Sequence, residues 1–192
     1  FGTTDSSGRP HAEINALKKL SKKDKRNSTI YISLEPCAHY GKTPPCVEAL
    51  VDAGVTRCVV AILDPDPRVS GRGVERMKAA GISVEVGLLS EKAEDLNLGF
   101  LSRVVKSVPM TTVKLATSMD GCIATRSGDS KWITGPKARA RAHLMRAEHD
   151  AIMIGAGTAR QDNPHLTCRL PGMRDRSPVR VVLDTHLSLP LD

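Results

Sequence analysis

The sequence predicts an α/β protein built on layered sheets, in two consecutive parts. Short β-branched runs alternate with helical periods from residue 29 to residue 89, glycines close the helical periods, and a second such pattern begins after Pro109.

In chain order, residues 11–20 have the spacing of a helix with Ile14, Leu17 and Leu20 facing inward, and Pro10 sets its first turn. "TIYISL" (29–34) is β-branched and aromatic and predicts a buried strand. Residues 46–53 predict a helix closed by Gly54, "RCVVAIL" (57–63) a strand, residues 74–80 a helix closed by Gly81, and "ISVEVGLL" (82–89) a strand. A polar helix over 91–106 ends the first part. The pattern restarts with "MTTVKLATSMDG" (110–121), a β-rich run ending in a turn. A helix over 136–148, a strand "AIMIGAG" (151–157), a loop rich in Asn, Pro and Arg, and a strand "VRVVLD" (179–184) complete the second part. The expected domains are therefore 1–107 and 108–192, without internal repeat or low-complexity segment.

With 40% hydrophobic residues in 192, the chain can bury a core, and no apolar run approaches the roughly 18 residues of a membrane span. A soluble, cytoplasmic protein with no membrane partner is expected. Five cysteines at irregular spacing do not make a disulfide framework, so they are ligands or buried apolar residues. The net charge of +7 suits nucleic acid or a phosphorylated small molecule, but two Phe, two Tyr and one Trp leave little for base stacking. "KKLSKKDKR" (18–26) is a solvated helix end, so no nucleic-acid partner is expected.

Chemistry concentrates in "PHAE" (10–13) and "LEPCAHYGKTPPC" (34–46). Taken singly, His11 is an ordinary helix-start histidine, Glu13 a first-turn acid and each cysteine a small buried residue. Together, His-x-Glu followed by a strand, Pro-Cys, and a second Cys at a helix start is the pattern of a catalytic zinc site. His11, Cys37 and Cys46 supply three ligands and leave a tetrahedral ion one open position, with Glu13 beside it to move a proton. "GKT" is not a phosphate loop, because Pro36 stands where such a loop needs its first glycine. Nor are the cysteines a Cys-x-x-Cys redox pair, because eight residues separate them. Cys58, Cys122 and Cys168 read as bystanders.

The His-x-Glu, Pro-Cys and Cys series resembles the zinc nucleoside and nucleobase deaminases, in which the glutamate is the proton shuttle and not a ligand. The wide cysteine spacing, with "DPDPRVSGRG" (64–73) downstream, narrows the resemblance to the deaminase domain of the RibD family of riboflavin biosynthesis. "KLATSMDG" (114–121), "SGDSKWITG" (127–135) and "GAGTARQDNPHLTCR" (155–169) resemble that family's reductase domain, so the likeness covers nearly the whole chain.

The resemblance implies a three-layer cytidine-deaminase-like domain followed by a partial dihydrofolate-reductase-like α/β domain. It implies zinc-dependent removal of an exocyclic amine from a diaminopyrimidinone that carries a phosphoribosylamino group, then NADPH-dependent reduction of the ribose to ribitol. The substrate partner would be that phosphoribosylated pyrimidine. Lys42, Asp64 and His39 become candidates for holding the pyrimidine, since lysine offers only donors and an ionised aspartate only acceptors. Ala116, Trp132, Thr158, Asp162 and Thr185 match NADPH positions of the family, and Ser130, Arg146, Leu166 and Arg169 match substrate positions. Arg146 and Arg169 have the chemistry to clamp a ribose phosphate, and Gly155 and Gly157 let backbone N–H groups approach one. Lys114 is a candidate polar group at the hydride-transfer site, and Trp132, the only Trp, suits a core equally.

Thr4 stands where many relatives have a histidine. The family pattern also extends on both sides of this sequence, so a fragment truncated at both ends, reducing poorly on its own, is expected. Sheet enzymes of this type commonly assemble, and a homo-oligomer is expected. Two rivals remain: a deaminase of another nucleobase or nucleoside with a degenerate second domain, and a nucleic-acid-binding module whose zinc is structural and closed by His39.

Overall fold

The structure is a computed structural model and describes residues 1–190. The chain divides into two compact units, Phe1–Thr111 and Thr112–Asp192.

In the first unit, α1 (Ala12–Lys18) and the single turn α2 (Lys22–Lys25) precede β1 (Thr29–Ile32). Then come α3 (Cys46–Asp52), β2 (Arg57–Val60), α4 (Arg72–Ala79) and β3 (Ser83–Val86). The three strands form a parallel sheet in the order β1-β2-β3, with Ile30 opposite Cys58 and Cys58 opposite Val84. Period-two alternation turns Ile30, Ile32, Cys58, Val60 and Val84 to one face. There they pack with Leu17 of α1, Val47 and Leu50 of α3, and Met77 of α4. This core anchors the helices whose first turns carry the candidate site.

Several expectations are corrected. Helix α1 stops at Lys18 and leaves Leu20 exposed, and Pro10 lies ahead of the N-cap His11 instead of inside the helix. Strand β1 is only half-buried, with Tyr31 on the face away from the core. Each strand is shorter than its apolar run. The expected helix over 91–106 is two helices, α5 (Ser90–Leu96) and α6 (Leu98–Lys106). Asn97 separates them: its side-chain amide donates to the Ala93 carbonyl at 2.7 Å, competing with the helical ladder.

The second unit contains α7 (Pro136–Glu148), β4 (Ala151–Gly155), α8 (Ala156–Asp162), a 3₁₀ turn at Arg174–Arg176 and β5 (Val179–Leu183). Proline at the start of α7 supplies the fixed φ of a first helical residue. Strands β4 and β5 pair in parallel from Ala151 opposite Val179 to Gly155 opposite Leu183. The run 110–117 forms no strand: Val113 and Leu115 are exposed, and β-propensity needs a neighbouring strand to bond. The turn expected after it is present, with Gly121 N–H donating to Ser118 O at 3.0 Å. Residues 156–162, read as strand end and loop, are helical, since Gly155 caps a segment containing Ala156, Ala159, Arg160 and Gln161.

Candidate metal centre

Two helix starts and one loop build the centre. His11 is the N-cap of α1, in extended backbone conformation, and Glu13 follows in its first turn. Pro45 caps α3, so Cys46 is the first residue of that helix. Cys37 lies in the loop after β1, tied to α3 where the Val47 N–H donates to the Cys37 carbonyl at 3.3 Å. The ligand atoms of His11, Cys37 and Cys46 all lie within 4.8 Å of one another. His11 Nδ1 is 3.7 Å from Cys37 Sγ and 3.4 Å from Cys46 Sγ.

The donor set fits zinc: one imidazole nitrogen and two sulfurs, the borderline-soft combination that Zn²⁺ prefers, with fewer than four protein ligands. Among the described residues His39 does not join the cluster. The electrostatics suit a cation as well. The Cys46 side chain and backbone N–H both hydrogen-bond the Cys37 sulfur, pushing its pKa down to about 5, whereas the same bond holds Cys46 above the usual thiol range. Cys37 is therefore a ready thiolate. Glu13 is buried, at 8% exposure, and that burial raises its carboxyl pKa. A carboxyl so placed takes up a proton more readily than one in water.

The three expected pyrimidine contacts differ in exposure. Lys42 is exposed on the turn between the cysteines. Among the described residues His39 Nδ1 is buried without a hydrogen-bond partner. Asp64 is buried, its carboxyl raised by desolvation, and its Oδ1 accepts the Asp66 N–H at 2.8 Å. Burial pushes the nearby Cys58 thiol up to about 12, which suits an inert core residue.

Sequence reasoning passed over Glu35. This carboxylate is 3% exposed and accepts backbone N–H groups from Asp64 (3.2 Å), Gly71 (2.9 Å) and Val74 (3.0 Å). It thereby fastens the segment that leads to Cys37 onto the Asp64 loop and the start of α4. The one available signal was an acid between a strand and Pro36, where a carboxylate is usually solvated. Arg76 adds a second strut: it donates to the Ala38 carbonyl at 2.6 Å and pairs with Glu48 at 2.8 Å.

In the second unit, Thr158 and Asp162 lie on α8 and Thr185 on the turn after β5, all exposed. Because Gly155 is level with Leu183, α8 and that turn share the carboxyl end of the two strands, where open α/β sheets take ligands. Ala116 and Ser130 lie on the loops between residues 107 and 135, and no hydrogen bond among the described residues joins them to that edge. Trp132 is exposed and not core, with the Arg139 guanidinium 4.4 Å over its ring. Leu166 is buried with φ of 55°. It immediately precedes Thr167, which both Arg146 and Arg169 touch. Lys114 is exposed.

Residues 3–62 match the family model of the cytidine and deoxycytidylate deaminase zinc-binding region, and residues 109–192 match that of the RibD C-terminal domain. The riboflavin biosynthesis protein RibD of Aquifex aeolicus is 44% identical over 191 residues, which is all of this chain but 53% of that protein. The protein of the same name from Bacillus amyloliquefaciens is 47% identical, over 95% of this chain and 49% of its own length. Among solved structures, RibD of Acinetobacter baumannii aligns with a TM-score of 0.89 at 44% identity, covering 99% of this chain and 54% of that one. A deaminase/reductase from Thermotoga maritima, named for diaminohydroxyphosphoribosylaminopyrimidine and 5-amino-6-(5-phosphoribosylamino)uracil, gives 0.88 at 44%, covering 96% and 52%. The chain spans about half the length of these relatives. By sequence across both units and by fold, the chain is similar to RibD proteins over about half of their length.

Proposed function

We propose that residues 1–107 hydrolyse the exocyclic amine of 2,5-diamino-6-(5-phosphoribosylamino)pyrimidin-4-one and that residues 108–192 form part of the NADPH-dependent reductase that converts the ribosyl product to ribityl. The observation that carries this reading is the convergence of His11, Cys37 and Cys46 beside a buried Glu13. Zinc bound there would supply Lewis-acid activation of the attacking water.

The protein's own groups do the rest. Glu13, less acidic than a solvated carboxylate, takes a proton from the water and passes it to the departing amine, so that nitrogen leaves as ammonia. His39 and Asp64 hold the pyrimidine edge and Lys42 closes over it from the exposed turn. Asp64 is fixed for this by the Glu35 carboxylate, which fastens its backbone N–H.

In the reductase half, Thr158, Asp162 and Thr185 take the cofactor at the carboxyl end of β4 and β5, with Ala116 and Trp132 completing its site. Ser130, Arg146, Leu166 and Arg169 take the ribose phosphate. A half-buried Arg146 without a carboxylate partner among the described residues favours an anionic ligand. The basic charge serves that small phosphorylated substrate, and the enzyme works in the cytoplasm as a homo-oligomer. Among the described residues, no helix is long and apolar enough to cross a membrane.

Ammonia release from the phosphoribosylated diaminopyrimidinone tests the reading. Glu13→Gln should reduce it by about 10²- to 10⁴-fold while bound zinc, measured by elemental analysis, is unchanged. Release by Glu13→Gln at the wild-type rate would remove Glu13 from its role.

A further inference from the structure

Outside the metal centre, a polar cluster of Arg146, Thr167 and Arg169 surrounds His143. This imidazole lies on α7, one turn before Arg146. Its Nδ1 is 3.2 Å from the Arg169 backbone nitrogen, 3.2 Å from Arg146 Nη1 and 3.1 Å from the Thr167 carbonyl. A backbone N–H and a guanidinium can only donate, so Nδ1 must accept, and the ring proton lies on Nε2. The Thr167 carbonyl has its own donor in Arg146 Nη1, at 3.0 Å. The Arg169 side chain reaches the Thr167 hydroxyl at 3.4 Å. Two arginines thus meet at one residue, and no carboxylate pairs with either among the described residues.

Bringing two cations together costs free energy unless an anion is shared between them. Arg146 Nη1 serves both Thr167 O and His143 Nδ1, and among the described residues Nε and Nη2 have no partner and can donate to a ligand. His143 is the group that holds this arrangement, because it bonds one arginine through its side chain and the other through its backbone. Burial first, then the Arg146 and Arg169 charges, outweigh the opposing Thr167 carbonyl and hold its pKa below the ordinary histidine value, which favours an acceptor at neutral pH.

We propose that His143 is a positioning residue, whose Nδ1 acceptor sets Arg146 and Arg169 as a pair facing one phosphate group. The inference rests on the reading of Arg146 and Arg169 as the ribose phosphate contacts, and it assigns to that site a residue that touches neither phosphate nor cofactor.

The test is calorimetric titration of ribose 5-phosphate into the chain and its variants. Asparagine places its carbonyl oxygen where Nδ1 stands, whereas glutamine places it one bond farther out, near Nε2. His143→Asn should therefore bind within about threefold of wild type, and His143→Gln and His143→Leu about tenfold more weakly. Wild-type affinity in the Gln and Leu variants overturns the proposal, and so does equal weakening by Asn and Gln. Gln, as polar as Asn, keeps the comparison valid if Leu disturbs folding. Arg146→Ala and Arg169→Ala separate the two levels of the argument. If both bind like wild type, the phosphate reading itself fails; if both lose binding while His143→Gln does not, only the role of His143 fails.

Discussion

The backbone N–H of Cys46 donates to the sulfur of Cys37 at 3.2 Å, so the first amide of α3 stabilises a thiolate nine residues away in sequence. A thiol in water is mostly protonated at neutral pH, but the Cys46 side chain first, and this amide after it, bring Cys37 down to about 5. The loop between the cysteines therefore does more than separate them, because it folds back until one ligand is hydrogen-bonded by the backbone of the other.

That relationship predicts the cost of removing the Cys37 sulfur. Cys37→Ser replaces the ionised ligand with a hydroxyl that stays neutral, and bound zinc should fall about 100-fold in affinity, read by competition with a chromogenic chelator. The fold should persist at moderate temperature, because the core of Leu50, Met77, Val60 and Cys58 does not include Cys37. Undiminished zinc affinity would contradict the assignment.

Asp64 predicts a pH signature. Burial raises its carboxyl pKa above the unfolded value, so its contribution to stability is full below the unfolded pKa of about 3.9 and is lost as pH rises through the folded pKa. At pH 7 the ionised side chain is a net cost. Asp64→Asn keeps an oxygen for the Asp66 N–H and should raise the unfolding temperature at pH 7 by a few degrees, a gain that shrinks toward pH 4. If Asp64 holds the pyrimidine as proposed, the same change should slow deamination. Differential scanning calorimetry across that pH range, beside the ammonia assay, checks both halves.

Gly73 predicts a steric failure. A Cβ there would lie 2.3 Å from the Pro36 carbonyl oxygen and 3.0 Å from Glu35 Oε1. The first of these is backbone and cannot swing away. Gly73→Ala should lower stability by about 2–4 kcal/mol in urea unfolding, and it should also weaken zinc binding because Pro36 leads directly into Cys37.

How much of this was legible beforehand follows from what each element depends on. Helices α3, α4 and α7 were readable because local signals bound them: Gly54 and Gly81 beyond two of them, with φ of 75° and 84°, and Pro136 at the start of the third. The run around Val113 and Leu115 was misread because strand formation depends on a neighbour, which no local pattern reports. The break at Asn97 was missed because one side chain overrides an otherwise continuous helical period. At the metal centre, His11, Glu13, Cys37 and Cys46 were readable as residue types in a fixed order. Glu35 was not, because its role lies in three backbone amides between 29 and 39 residues away, and only folding brings them to one carboxylate.

The same spacing has a consequence for synthesis. His11 lies 26 residues before Cys37 and 35 before Cys46, and every ligand precedes β2 and β3. A ribosome therefore completes the ligand set before it has made the strands on which the core will rest. An ion captured at that moment would tie off a long loop of the nascent chain, and the strands made later would assemble around a segment already closed.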